Sequence, residues 1–352
     1  MDSRVIFWLH ELGKEDTLLV GQKCAFLAEM IKIGLPVPPG FVLSQSAFDS
    51  FMETTGIREE ISGHLSKLGE TPCDLQLAEV ASRHIFDAIK KRKIPKGIQH
   101  QVEASYQELS QQLGTDEASV SIRSSGRKSH PGLFDTYLNI KGSRALLHHI
   151  KYCWASVFSP RAIATLTRKG LVAHIEPIAV GVQKMIHARS AGVLFTTDPV
   201  SNDPSLVVIE ASWGLGEGIA QAKVNPDKFV VSKETLNIKE KQIGQKTCQM
   251  VAIEQRTRVE TVPKEKQTIP CLSDEELTQL VKLAKQVELL YGGIPQDIEW
   301  AIDGELPFPE NIFLIQTRPV VVPSPASRKL NKPSGKDDIE HIADLLIELF
   351  YH

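Results

Sequence analysis

Two segments near the end of the chain constrain the fold most: Pro295-Gln-Asp-Ile-Glu-Trp-Ala-Ile-Asp-Gly304 and Ile312-Phe-Leu-Ile-Gln-Thr-Arg-Pro319. Ile298, Trp300 and Ile302 alternate in the first, and Phe313, Ile315 and Thr317 in the second, the period-2 pattern of strands with one buried face. Asp303-Gly304 opens the loop between them. An antiparallel hairpin would set the start of the first strand beside the end of the second, bringing Asp297 and Glu299 close to Gln316 and Arg318. That corner has the makings of a site for a divalent cation bound to a phosphate chain. Magnesium takes one or two carboxylates plus phosphate oxygens, and an arginine fork grips phosphate bidentately. The same alternation also describes a hairpin with a wet, charged face, and other segments have to decide between the two.

The chain of 352 residues is long enough for two or three lobes. With 40 basic and 43 acidic residues the formal net charge is −3, so no overall field draws the chain to nucleic acid or to a membrane surface. The cysteines, Cys24, Cys73, Cys153, Cys248 and Cys271, are odd in number and lack a CxxC pair, which argues for reduced thiols and against a disulfide framework or a zinc site. No apolar run approaches the roughly 18 residues of a membrane span, and no signal pattern opens the chain. A cytoplasmic protein is the expectation.

Leu18 to Ile33 reads as a glycine turn at Gly21 leading into an amphipathic helix, with Lys23 at its start, near amides and a dipole end that favour an anion. A solvated lysine is the plainer reading. Pro36-Val-Pro-Pro-Gly-Phe-Val-Leu43 makes a rigid turn into a strand. Ser46 to about Leu113 is helical in pattern, broken at Gly56, Pro72 and Pro95. A strand ending at Arg123 then feeds a loop of serines and glycines with Arg127, Lys128 and His130, and Thr136 leads into another strand. Small residues let backbone close around phosphates and arginine neutralises them, although a basic surface loop is an equal reading.

Ala145 to about Gly170 reads as helix interrupted at Ser159-Pro160. Ile178 to Ile186 is a buried strand whose one amide, Gln183, lines an adenine pocket or merely satisfies a core backbone group. Ala191 to Val200 is a further strand closed by a turn. Leu206 to Gly218 places a strand before a glycine-rich loop, but the spacing is not GxGxxG, and a strand from Asn225 follows where a dinucleotide fold needs a crossover helix. That fold is rejected. Ser273 and Glu276 form a capping box for a helix through Val287. Beyond Pro319 come a linker-like stretch to Gly335 and an amphipathic tail carrying Ile339, Ile342, Leu345, Leu346, Leu349 and Phe350, suited to docking on the body or a partner.

Together these segments resemble the ATP-grasp nucleotide-binding domain of the phosphoenolpyruvate synthase and pyruvate phosphate dikinase family, found also in rifampicin phosphotransferases. The matching text includes Gly21-Gln-Lys23, Pro36-Val-Pro-Pro-Gly-Phe41, Ile122-Arg-Ser-Ser125, Asp135-Thr-Tyr-Leu-Asn139, Cys153-Trp-Ala-Ser156 and Gly192-Val-Leu-Phe-Thr196. It continues through Ile209-Glu-Ala-Ser-Trp-Gly-Leu-Gly-Glu217, Gln296-Asp-Ile-Glu-Trp300 and Leu314-Ile-Gln-Thr-Arg-Pro319, in the family's order from about residue 20 to 320. The resemblance implies an α+β, ATP-grasp fold with two lobes, 1–187 and 188–320, with the nucleotide bound between them, and a linker and amphipathic helix over 321–352. It implies that Lys23 and Arg123 hold the ATP phosphates, that Gly132 and Thr136 belong to the phosphate-covering loop, and that Gln183 lies along the nucleotide. Glu299 and Gln316 would hold Mg2+ against the phosphates, and Arg318 would stabilise the phosphoryl group in flight.

Three departures from the family pattern stand out. The loop after Arg123 is short and closer to the dikinase form. Gln22 replaces a frequent second glycine. A swivelling domain with a phosphorylated histidine and an acceptor domain have no room in this chain, and His130, His148 and His149 are poor substitutes for a shuttling histidine. The implied function is the ATP half of a dikinase-type phosphotransfer, to a histidine of a separate domain or protein and onward to pyruvate or another small acceptor. A self-contained ATP-grasp kinase or ligase giving ADP is the alternative, and a non-catalytic nucleotide-binding module a third reading.

Overall fold

The computed structural model describes residues 4–68, 75–127, 136–168, 176–254 and 256–320. Pro72, His130 and Gly132, the linker and the amphipathic tail lie outside the described residues. The element order is β1 (Ile6–Trp8), α1 (Thr17–Lys32), β2 (Gly40–Leu43), α2 (Gln45–Thr54), α3 (Ile57–Ser66), α4 (Leu75–Lys91), α5 (Lys96–Gln112), β3 (Val120–Ser125), β4 (Thr136–Ile140), α6 (Ser143–Ser156), α7 (Pro160–Arg168) and β5 (Ala179–Lys184). It continues with β6 (Ala188–Phe195), β7 (Leu206–Trp213), α8 (Glu217–Ala220), β8 (Asp227–Ser232), β9 (Ile238–Gln242), β10 (Cys248–Ile253), β11 (Arg256–Thr261), α9 (Asp274–Leu290), β12 (Gln296–Asp303) and β13 (Ile312–Pro319). The mixture is α+β, as the sequence indicates.

The breakers act where the sequence puts them. Gly56, at φ 63°, separates α2 from α3, Pro95 precedes α5, and Ser159-Pro160 splits the expected long helix into α6 and α7. The capping box opens α9, with Ser273 Oγ accepting from Glu276 N at 3.2 Å and Glu276 Oε2 accepting from Ser273 N at 2.9 Å.

Two sheets organise the chain. A five-stranded sheet runs β1-β2-β5-β3-β4 and a six-stranded sheet runs β13-β12-β6-β7-β8-β9; β10 and β11 pair as a separate hairpin. Strand pairings within the sheets are antiparallel, and only the four-residue α8 stands between β7 and β8, which bears out the rejection of a parallel dinucleotide-binding sheet. One face of the first sheet, with Phe41, Ile122 and Val182, packs under α2 to α7 around Phe51 and Trp154. A second core joins α1 and α9 to Leu194, Ile209, Phe229, Trp300 and Leu314 of the second sheet, and also takes in Val42 and Ala179 from the opposite face of the first. Helix α1 therefore touches both sheets. Close approach of backbone makes this possible: a Cβ on Gly181 would lie 2.9 Å from Cys24 Sγ, and one on Gly192 would lie 1.9 Å from Glu210 O and 2.8 Å from the Trp300 ring.

The hairpin β12–β13 has the anticipated register, with Asp297 opposite Arg318 and Glu299 opposite Gln316. Its alternation differs from the sequence reading. The register shifts between Glu299 and Trp300, so that Trp300 faces Leu314 and Ile315 is an extra residue on β13. Ile312, Leu314 and Thr317 are consequently the fully buried positions, whereas Phe313 and Ile315 are half-buried on the other face.

At the start of β8, Asp227 and Lys246 are both wholly buried and paired at 2.5 Å. Asp227 also accepts from Gly244 N and Cys271 N, each at 2.9 Å, tying two loops to the second sheet. Removing one partner of such a pair strands the other charge. Lys246→Met is expected to cost about 3–5 kcal/mol in urea unfolding; a loss below about 1 kcal/mol would show that the two backbone amides alone satisfy the carboxylate.

Candidate nucleotide site

Strand β3 carries Arg123 on the face of the first sheet that α1 partly covers, and its guanidinium reaches the second sheet. Nη1 donates to Ile315 O at 2.8 Å and Nη2 to Glu299 Oε2 at 3.0 Å. The bulge is what frees the Ile315 carbonyl for this contact, since the extra residue has no partner opposite it on β12. The side chain of Arg123 is only 13% exposed, that of Glu299 37%, so the pair sits at the inner wall of an open corner.

Arg318 lies two pairs further along the hairpin from Glu299, on the same face. Its Nε donates to Oδ2 of Asp297 at 2.8 Å, and Nη2 stands 2.7 Å from the same oxygen. Burial raises the Asp297 carboxyl above its ordinary range, and the Arg318 charge acts against that rise. Asp297 thus fixes the direction of Arg318. The sequence places Asp297 in this corner through the register but gives no sign that it would be the residue gripping the arginine.

Lys23 completes the group from α1. Gly21, at φ 74° and ψ 163°, breaks the helical path just before it, and a Cβ there would meet Ser125 O at 2.2 Å. The amides that the sequence reading left open at this helix start are engaged: Gln22 N donates to Gly126 O at 2.8 Å and Cys24 N to Ser125 Oγ at 3.2 Å. The end of β3 thereby clamps the start of the helix and presents Lys23 to the hairpin. Burial, reinforced by the neighbouring charges of Arg123 and more weakly Arg318, pushes the Lys23 ammonium down to about 8, while Glu299 works in the other direction. Burial also pushes the adjacent Cys24 thiol up to about 11, which makes it inert. The four described cysteines are free.

Thr136 stands at the exposed start of β4, directly across from Arg123 in the ladder. Gly132 cannot be placed with it. Gln183, on the same face of β5 as Gly181, is 3% exposed and donates Nε2 to Pro38 O at 3.1 Å, so the amide serves the turn before β2. Immediately beyond it on the chain lies a cavity of about 230 Å³, walled by Met185, Ile186, Leu215, Val251 and Asn139. Neither β10, which closes this cavity, nor the bulge at Ile315 had a signal in the sequence reading. Larger open grooves run along α9 beside Lys282 and contain none of these residues. Among the described residues no helix is long and apolar enough to cross a membrane.

Residues 17–337 match the family described as pyruvate phosphate dikinase, AMP/ATP-binding domain. The probable phosphoenolpyruvate synthase of Staphylothermus marinus is 36% identical over 346 residues, covering 90% of this chain and 41% of the relative. That of Methanocaldococcus jannaschii is 35% identical over 344 residues, covering 96% and 28%, and the phosphoenolpyruvate synthase of Aeropyrum pernix is 36% identical over 367 residues, covering 96% and 44%. The chain thus spans less than half the length of each of these relatives. With a match over residues 17–337, the chain belongs to the pyruvate phosphate dikinase AMP/ATP-binding domain family.

Proposed function

We propose that the chain binds Mg-ATP between its two sheets, taken as lobes 1–187 and 188–320, and carries out the ATP half of a dikinase-type phosphotransfer. The observation that carries this reading is the convergence of three cations, Lys23, Arg123 and Arg318, from three separate elements on one corner holding Glu299, Gln316 and Asp297. A polyphosphate chain meets those cations as an anion stripped of water, where fixed charges act strongly. Lys23 and Arg123 hold phosphate oxygens, Gly132 and Thr136 belong to the segment that covers them, and Arg318, aimed by Asp297, neutralises charge on the phosphoryl group in transit. Gln183 marks the nucleoside end, where the apolar cavity at Met185 and Ile186 suits a purine ring.

The donor set fits magnesium. Glu299 and Gln316 face each other across the hairpin and offer one carboxylate and one amide oxygen, the hard and incomplete set that Mg2+ takes when phosphates supply the rest. Among the described residues no group of three or more His, Cys, Asp or Glu side chains could hold a metal, so phosphate oxygens would have to share this one. When bound, the metal supplies charge neutralisation between the bridging phosphates.

The acceptor in this reading is a histidine on a separate swivelling domain. Its ring nitrogen attacks the β-phosphorus, the bond to the α,β-bridging oxygen breaks, and AMP leaves with that oxygen. The histidine then carries a pyrophosphoryl group; its outer phosphate is released to water or placed on inorganic phosphate, and the phosphate that remains passes to pyruvate or another small acceptor. Incubation of the chain with Mg-ATP, with and without a histidine-bearing domain taken from a phosphoenolpyruvate synthase, tests this. AMP released only when the domain is present supports it; ADP formed with small-molecule acceptors alone would instead identify a self-contained kinase or ligase, and binding without any product a nucleotide-binding module.

Two variants probe the corner. Arg318→Ala should bind ATP within a few-fold of the parent but lose about 10²–10³ in turnover, the usual scale for one group aimed at transition-state charge. Equal losses in binding and turnover would make Arg318 a ground-state contact. Lys23 should take up a proton when ATP binds, because the phosphates favour its charged form. Near pH 8 about half the lysines are neutral in the free protein, so calorimetry in buffers of different ionisation heat should register about half a proton per ATP, falling to none well below pH 7. The affinity should accordingly weaken as pH rises through 8. A Lys23→Met variant that takes up the same proton would assign the uptake elsewhere.

A further inference from the structure

A second cluster of hydrogen-bond donors, made of other residues, stands at the start of α2. Gln45 is the first residue of that ten-residue helix and is 4% exposed. Its Oε1 accepts from Arg127 Nε at 3.2 Å, which fixes the orientation of the amide, since the guanidinium can only donate. Its Nε2 is therefore held beside Arg127, and it is buried without a hydrogen-bond partner. Such a group destabilises the fold unless something accepts from it.

The surroundings consist of donors. Arg127 is exposed, and among the described residues its two terminal nitrogens have no partner. Helix α2 has no side-chain cap on its first turn; Ser44 Oγ and Ser46 Oγ bond to each other at 2.7 Å, and the helix start supplies backbone amides and the positive end of the dipole. The first carboxylate along α2, Asp49, is already paired with Arg58 at 3.0 Å. An orphaned amide, a guanidinium whose terminal nitrogens have no partner among the described residues, and a helix start without a side-chain cap, where Ala47 N is already taken by Ser44 O, thus adjoin one another.

We propose that Gln45, Arg127 and the first turn of α2 form a binding site for a tetrahedral oxyanion, of which inorganic phosphate is the simplest. The guanidinium takes two oxygens, Gln45 Nε2 a third, and the helix amides complete the set. This site uses none of the residues assigned to the nucleotide, although Gly126, next to Arg127, accepts from Gln22 N beside Lys23; it does not depend on the nucleotide reading. It would admit a free phosphate or the phosphate of a small ester.

The test uses the full chain without nucleotide, following thermal unfolding in rising inorganic phosphate at constant ionic strength set with chloride. A saturable rise in Tm is expected, reduced at least tenfold in apparent phosphate affinity by Arg127→Ala and by Gln45→Glu, whose carboxylate would occupy the guanidinium itself. Lys23→Met should keep the response. Glycerol phosphate run in parallel separates the sources: tighter binding than phosphate points to an ester, weaker binding to the free ion. Arg127 is exposed, so its variant folds even if the Gln45 change does not. No saturable rise in the parent chain, an undiminished rise in Arg127→Ala, or loss of the rise in Lys23→Met would overturn the proposal.

Discussion

The contact of Arg123 with the final hairpin is the interaction on which the rest of the site depends. A guanidinium held at 13% exposure has to find acceptors, and it finds one carbonyl and one carboxylate, both on the other sheet. A planar fork takes the two acceptors with two separate nitrogens held at a fixed spacing, a geometry that the single nitrogen of a lysine does not reproduce. The same contact sets how close Glu299 stands to the cations and therefore how strongly their charges are felt. It also turns a local irregularity into a connector. Without the extra residue on β13, Ile315 O would sit in the ladder with β12 and Arg123 would have a carboxylate alone.

Helix α1 makes the complementary connection. Its apolar side, with Val20, Cys24 and Ala28, belongs to the core of the six-stranded sheet, while its start is pinned to the end of β3 by Gln22 N and Cys24 N. Gly21 is the hinge of this arrangement because both its positive φ and the 2.2 Å approach to Ser125 O exclude a side chain. Lys23 inherits its position from these two restraints. Packing, backbone geometry and charge are therefore not separable here: the residues that bury the helix are the ones that deliver the ammonium.

Much of this was legible in the sequence, and the parts that were not have identifiable reasons. Alternation in the hairpin gave the register of Asp297, Glu299, Gln316 and Arg318, because a period of two residues fixes which side chains share a face. Glycine, proline and the Ser273 capping box marked where helices begin and end. The bulge was not legible, since one extra residue leaves hydrophobic alternation looking intact while exchanging Phe313 and Ile315 for Ile312 and Leu314 in the core. Strands β9 and β11 escaped as well, because their mostly polar, exposed residues carry no apolar period, and the short apolar β10 carries no alternation either. Gln183 shows a further limit. A buried amide in a strand reads equally as a ligand contact or as a backbone partner, and its bond to Pro38 O is a long-range fact that no local pattern encodes.

The electrostatic balance of the corner explains why its residues are so unevenly satisfied. Asp297 and Arg318 neutralise each other, and Arg123 spends one nitrogen on Glu299, which leaves Lys23 buried among like charges with its ammonium pushed down to about 8. Charge held this way costs stability in the free protein, and natural selection for stability alone would replace the lysine with an apolar residue. A polyanion reverses the sign of the effect, because each phosphate oxygen brought near Lys23 relieves the repulsion from Arg123 as well as adding its own attraction. The cost in the free protein and the selectivity for a highly charged ligand are thus two aspects of one arrangement: a neutral or singly charged molecule of the same size would enter the corner without relieving it.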